Sequence, residues 1–264
     1  MSRRRGPLYA IGGHEDKDRD RQILRAISDE LGSGPLIIAT VASHEPEGYF
    51  EAYRDAFAAL GRQNLVEVYF RDRSEAHLAE HAALVDTAAG IFFSGGDQAR
   101  LVDMLRGTPF AAALGALHRR GGLIAGTSAG ASAQGEQMLV AGSGEETHRI
   151  GDIEMAPGLE LIDKVIIDQH FAERGRIGRL LGAVAACPDF LGIGIDEDSA
   201  IRIESGIATA IGSGGVTIVD AARASRSNAQ DAARGTVLSL HGVTLHALGA
   251  GDRFDLGARQ PVGA

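Results

Sequence analysis

Gly121-Gly122-Leu123-Ile124-Ala125-Gly126-Thr127-Ser128-Ala129-Gly130 is the stretch from which the architecture of this chain is read. Residues 121–125 have the texture of a short buried strand and residues 131–138 that of the start of a helix, joined by a tight turn at 126–130. A strand, a turn and a helix in that order are the context of a nucleophile elbow, which lifts a serine above the edge of a sheet. Glycines two residues on either side of Ser128 remove the Cβ atoms that would obstruct the turn. The helix N-terminus beneath turns backbone N–H groups, that of Ala129 among them, towards a developing oxyanion. Gly-x-Ser-x-Gly also marks ordinary strand–helix turns in a glycine-rich chain, so the rest of the sequence has to decide between the two.

Upstream, the same alternation repeats. Residues 8–11, 35–41, 65–70 and 89–93 are apolar runs expected as strands, and helical spacing covers 21–31, 47–60, 75–88, 99–105 and 111–119. Strands alternating with helices through short loops imply an α/β fold with a parallel sheet covered on both faces. Ligand sites in such sheets form outside the carboxyl ends of the strands. Gly12-Gly13, Gly95-Gly96 and the elbow all follow such ends, and the Gly96 N–H is expected as a second oxyanion donor beside that of Ala129. His14-Glu15-Asp16 reads as a solvated loop feeding a helix rather than as a metal site.

Downstream, residues 165–167 and 191–195 are further buried strands. The first opens onto Asp168-Gln169-His170-Phe171 and the second onto Asp196-Glu197-Asp198. A helix is expected from about residue 174 to 186, closed by Cys187-Pro188, with loops or turns at 143–146 and 157–158. From residue 200 the texture changes to short strands at 200–203, 208–211 and 216–219, separated by glycine turns and continued in style through 236–248. They read as an antiparallel appendage of the same domain, with a small, polar loop at 221–234.

Acyl transfer by a serine needs a base to take its proton and a third group to orient the base. His170 and Glu197 each follow a buried strand, as Ser128 does, and one parallel sheet would bring all three to a single edge. Spacing does not choose among Asp196, Glu197 and Asp198, while His241 and His246 read as structural. The order Ser…His…Glu differs from that of α/β-hydrolases, so a different fold surrounds a similar elbow. Cys187 is the sole cysteine and sits late on a helix, which excludes an internal disulfide or cysteine zinc site and disfavours a cysteine amidotransferase. Arg174, Arg176 and Arg179 crowd the helix after His170, where cations oppose the macrodipole. Beside the candidate base they suit recognition of an anion, although the three need not share one face.

The 264 residues suffice for one large domain or two small ones, and 44% apolar with 23% charged residues is ordinary for a globular protein. A net charge of −9 and the absence of tryptophan argue against nucleic acid or an anionic membrane as partner. Met1-Ser2-Arg3-Arg4-Arg5 is basic, but the apolar stretch behind it breaks at Gly12-Gly13, too short for a secretory core or a membrane span. A cytoplasmic location is expected. Lys17 and Lys164 are the only lysines, so arginine carries nearly all the positive charge.

Gly126-Thr127-Ser128-Ala129-Gly130-Ala131, Ile166-Ile167-Asp168-Gln169-His170-Phe171 with its arginines, and Gly194-Ile195-Asp196-Glu197-Asp198 resemble the cyanophycinase family. Ile11-Gly12-Gly13-His14-Glu15-Asp16-Lys17 and Gly95-Gly96-Asp97-Gln98 are similar too, and the resemblance spans about residues 8–200. It implies a serine peptidase related to aspartyl dipeptidases, on a flavodoxin-like or class I glutamine amidotransferase-like three-layer sandwich, often homodimeric, with no metal or organic cofactor. Carried over by motif, Ser128 would be the nucleophile, His170 the general base and acid, and Glu197 the orienting carboxylate. Gln98, Asp168, Gln169, Arg174, Arg176 and Arg179 would line the substrate pocket. The implied substrate is cyanophycin, a polyaspartate backbone with arginine on each side-chain carboxylate, released as β-Asp-Arg dipeptides. The chain departs from the family pattern at 132–137 and from about residue 221 onward. Short isoaspartyl or N-terminal aspartyl peptides are the alternative substrates, and a non-catalytic ligand-binding module on the same scaffold is the third reading.

Overall fold

A computed structural model describes residues 5–142 and 148–263. Leu8–Ile11 (β1) leads into Gln22–Glu30 (α1), Leu36–Ala39 (β2), Tyr49–Ala59 (α2) and Leu65–Val68 (β3). A 3-10 turn at Glu75–His77 precedes Ala79–Thr87 (α3), Gly90–Phe93 (β4), Gln98–Leu105 (α4), Pro109–Arg119 (α5) and Leu123–Thr127 (β5). After Ser128 come Ala129–Ser132 (α6), Gln137–Ala141 (β6), Glu154–Pro157 (β7), Val165–Gln169 (β8), Ile177–Ala186 (α7) and Leu191–Ile195 (β9). Ser199–Glu204 (β10), Ile207–Gly212 (β11) and Val216–Asp220 (β12) follow. The tail adds Arg226–Ser227 (β13), Leu240–His241 (β14), Thr244–Leu248 (β15), Arg253–Asp255 (β16) and Gln260–Pro261 (β17).

The large sheet has the order β17-β16-β11-β10-β1-β5-β4-β2-β3. Its core β1, β5, β4, β2 and β3 is parallel, and β10, β11, β16 and β17 extend it in antiparallel fashion. Side chains alternate across the pleat. Tyr9, Ile11, Ile38 and Phe92 pack with α1 and α2, whereas Ala10, Ile37, Ile91 and Phe93 pack with α3, α4 and α5. Local chemistry starts the helices that matter for the site. Asp97 caps α4 by accepting from the Ala99 and Arg100 N–H groups, and Thr108 with Pro109 opens α5.

Strands β8 and β9 do not join this sheet. They form a second sheet of order β15-β12-β9-β8, in which only β8 and β9 run parallel. The expectation of one parallel sheet carrying Ser128, His170 and Glu197 is therefore corrected. A strand has two hydrogen-bonding edges, and both edges of β1 are occupied, by β5 and by β10 returning antiparallel after the Asp196–Asp198 turn. The expected appendage is likewise divided: β10, β11, β16 and β17 enlarge the main sheet, and β12 with β15 completes the second.

Two further expectations change. The helix after the elbow is a single turn, because the carbonyls of Ala133 and Gln134 accept from the N–H groups of Leu159 and Leu161 and are lost to the helix ladder. Gln137 and Met138 then enter β6, paired with β7. The helix foreseen from residue 174 begins only at Ile177, so Arg174 and Arg176 precede it. The loop expected at 143–146 lies outside the described residues. No helix among the described residues is long and apolar enough to cross a membrane.

Candidate active site

Strand β5 delivers Ser128 into a turn with φ 52° and ψ −111°, a strained conformation for a non-glycine residue. The flanking glycines are required by packing: a Cβ on Gly126 would lie 2.2 Å from the Gly130 carbonyl oxygen, and one on Gly130 would lie 2.7 Å from the Phe93 Cβ. The Ser128 N–H donates to the Ile11 carbonyl at 2.9 Å, tying the elbow to β1. Ser128 Oγ stands 3.0 Å from His170 Nε2, and His170 Nδ1 stands 2.7 Å from Glu197 Oε1. Asp196 and Asp198 are otherwise engaged. Asp196 accepts from the N–H groups of Ala172 and Gly215 at 3.0 and 3.1 Å, and Asp198 accepts from the Asp16 N–H at 2.9 Å and Ser213 Oγ at 2.6 Å.

The loop after β1 joins the two sheets at this point. The His170 N–H donates to Gly12 O at 2.8 Å, the Asp198 N–H to Gly13 O at 2.9 Å, and the Gly12 N–H to Ser199 O at 2.9 Å. Gly13 has φ +108°, and a Cβ there would sit 2.3 Å from the His170 imidazole, so only glycine fits. These few backbone bonds align groups from separate sheets.

Burial pushes the His170 imidazole below its ordinary pKa, and the Arg174 and His14 side chains add to that, while Glu197 opposes it. The imidazole is thus neutral near pH 7 and able to accept a proton. Desolvation would raise the Glu197 carboxyl, but hydrogen bonds from His170 and His14 outweigh it and hold the carboxyl below its usual range. His14 Nδ1 lies 2.9 Å from Glu197 Oε2, and its ring meets that of His170 edge-on at 5.1 Å. One donor atom each from His14, His170 and Glu197 fall within 4.8 Å of one another, a grouping that could hold a cation.

A cavity of about 400 Å³ opens over Ser128, lined among others by Gly13, Glu47, Tyr49, Gly96, His170 and Arg174. The N–H groups of Gly96 and Ala129 donate to no protein acceptor among the described residues. Of the residues expected to line a substrate pocket, Arg174 lies on this cavity wall. The other five do not; they are bonded to one another and to the backbone. Asp168 is fully buried and receives Arg179 Nε at 2.7 Å, a second bond from the same guanidinium, and Arg176 at 3.2 Å. Arg176 also bonds Gln169 Oε1 at 3.0 Å, and Gln98 Nε2 donates to Leu139 O at 2.8 Å. Burial lowers the Arg176 guanidinium to about 10 even with Asp168 beside it.

Sequence reasoning missed Glu15 and Tyr53. Glu15 is not solvated: it is 3% exposed and accepts from Tyr53 Oη at 2.5 Å and Thr127 Oγ1 at 2.6 Å, with Lys17 Nζ at 3.1 Å. Burial, followed by the Glu15 charge, raises the Tyr53 hydroxyl well above its ordinary value. The network holds the loop after β1 against Thr127, the residue before the elbow serine. A signal was present, since Lys17 is one of two lysines in the chain and stands two residues after Glu15.

Comparison with known proteins makes this chain a peptidase, a hydrolase. The profile of Peptidase family S51 matches residues 8–211, and the chain belongs to that family. It is 40% identical over 253 residues to the cyanophycinase of Trichormus variabilis, covering 94% of this chain and 85% of that one. It is also 37% identical to the cyanophycinase of Geminocystis herdmanii, covering 98% and 96%. Among solved structures it is similar to a peptidase from an acI-B1 Actinobacterium, with TM-score 0.67 and 22% identity over 97% and 98% of the two chains. A putative peptidase E of Listeria monocytogenes matches with TM-score 0.57 and 18% identity over 80% and 100%.

Proposed function

We propose that the protein is a serine exopeptidase that hydrolyses cyanophycin to β-Asp-Arg dipeptides through an acyl-enzyme on Ser128. The observation that carries this reading is the hydrogen-bonded series Ser128–His170–Glu197 at the mouth of a cavity that also holds two uncommitted, opposite charges. Neither Arg174 nor Glu47 makes an ion pair among the described residues. Each pendant arginine of cyanophycin brings a carboxylate and a guanidinium, which match Arg174 and Glu47 respectively.

Ser128 Oγ attacks the backbone carbonyl as His170 Nε2 takes its proton. Glu197 holds the Nδ1–H side of the ring and stabilises the imidazolium. The free N–H groups of Gly96 and Ala129 receive the oxyanion. His170 returns the proton to the leaving amine, and water, deprotonated by the same imidazole, releases the dipeptide from Ser128. Asp168, Gln169, Arg176, Arg179 and Gln98 act by holding β8, α7 and β6 in position around His170.

The reading extends to the architecture. The order β3-β2-β4-β5 corresponds to 2-1-3-4 of a flavodoxin-like sheet, with β1 in the fifth position. We read the chain as one domain of that type, akin to class I glutamine amidotransferases, working as a cytoplasmic homodimer.

Mass analysis of products from insoluble cyanophycin tests the function, with Ser128→Ala alongside. The β-Asp-Arg mass is expected from wild type alone. No release by folded wild-type protein overturns the substrate. A cavity of about 400 Å³ also suits a short isoaspartyl peptide, and dependence of rate on chain length separates that second reading.

A further inference from the structure

The Glu197 carboxylate holds two imidazoles, although the relay to Ser128 uses only one. His170 Nδ1 approaches Oε1 at 2.7 Å and His14 Nδ1 approaches Oε2 at 2.9 Å. We propose that His14, His170 and Glu197 form an inhibitory site for a divalent transition cation, zinc being the best match. It is not the consecutive triplet His14-Glu15-Asp16, whose Glu15 is buried against Tyr53 and Thr127.

Two imidazoles and one carboxylate are a donor set that zinc accepts, with a fourth position left for water. Donors bound tetrahedrally to zinc stand about 3.4 Å apart, given bonds of about 2.0–2.1 Å. One donor atom from each residue lies within 4.8 Å of the other two, and both Nδ1 atoms stand at 2.7 and 2.9 Å from Glu197 oxygens, so shifts of about 1 Å suffice. The His14 side chain is free to adjust: it is 73% exposed and lines the cavity, which also gives the ion its way in. Calcium and magnesium prefer all-oxygen shells and are not suited to this set.

The consequence follows from the tautomer. With zinc on Nδ1, the hydrogen that Nδ1 carried resides on Nε2, and the ring stays neutral with no net proton lost. Nε2 then has no lone pair for the Ser128 proton. The ion also withdraws Glu197 from orienting the ring. Zinc therefore switches off the serine without touching it, and removal of zinc restores the original tautomer.

Binding is measured on Ser128→Ala protein by isothermal titration with zinc chloride and by the visible absorption of Co²⁺ as a probe. Both readouts are independent of substrate, so they separate this inference from the reading of the activity. One ion per chain is expected, with low-coordinate Co²⁺ bands. Adding His14→Ala, and separately Glu197→Gln, weakens binding by about ten-fold or more. In the wild-type enzyme, zinc inhibits hydrolysis over the same concentrations, EDTA reverses it, and magnesium and calcium have no effect. Relative to its own uninhibited rate, His14→Ala requires correspondingly more zinc. Absence of stoichiometric binding, or binding equally tight in both variants, overturns the proposal.

Discussion

Arg174 and Arg179 are five residues apart in one stretch of chain and have opposite fates. Arg179 is 6% exposed and gives two hydrogen bonds to the fully buried Asp168 and a third to the Gly142 carbonyl. Arg174 is exposed, makes no ion pair among the described residues, and faces the cavity over Ser128. A guanidinium out of water has to be paired, and once paired it cannot leave without a large penalty. A guanidinium in water costs nothing to keep free, and remains available to a ligand. The residue type gives a possibility, and burial decides whether it becomes scaffold or binding group.

The largest effect is expected from Asp168→Ala, which leaves the buried Arg179 and the half-buried Arg176 without their carboxylate. Stability should fall by about 3–5 kcal/mol, read as the loss of unfolding free energy in urea. A loss below about 1 kcal/mol, the range of surface pairs, would mean that these arginines are solvated and that the distinction collapses.

Arg174→Gln probes the other side. Stability should change by no more than about 0.5 kcal/mol, as for an exposed site. KM for cyanophycin should rise by roughly ten-fold or more, the equivalent of a charge-assisted hydrogen bond of about 1.5–3 kcal/mol, with a smaller change in kcat. An unaltered KM in steady-state assays would remove Arg174 from substrate binding.

The smallest effect concerns pH. In the proposed mechanism His170 has to be neutral to accept the serine proton, so kcat/KM should fall as pH drops through its pKa, which lies below the ordinary imidazole value. The Arg174 charge is one cause of that lowering. Arg174→Gln should therefore move the acid limb of the kcat/KM profile to higher pH, towards the ordinary value. A profile that stays in place would remove Arg174 from the causes and leave burial and His14.

Legibility followed the range of the forces involved. The elbow was readable because its requirement is local: Gly126 and Gly130 clear space for one turn, within two residues of Ser128. The parallel core was readable because continuous apolar runs and helical spacing are also local patterns. Glu15 was misread as solvated because its partners Tyr53 and Thr127 lie 38 and 112 residues away. Gln98, Asp168, Gln169, Arg176 and Arg179 were grouped by motif, and nothing in the spacing of the three arginines shows that two of them share one carboxylate. The single-turn α6 was missed for a similar reason, since its ladder is ended by Leu159 and Leu161 from another part of the chain.

Neighbouring residues are enough to place a serine on a strand–helix elbow of an α/β fold, with a histidine and a group of carboxylates each at the end of a later strand. Glycine sterics and hydrophobic periodicity are properties of neighbouring residues, so they survive without a structure. The tertiary fold alone settled that those later strands belong to a second sheet and that Gly12 and Gly13 bring it into line; for the carboxylate that meets His170, spacing left three candidates, the family motif implied Glu197, and the geometry puts Glu197 there. Those outcomes depend on which strand edges are still unpaired and which carboxylates are already engaged by backbone N–H groups. Both are set by residues distant in the chain, and folding alone brings them together.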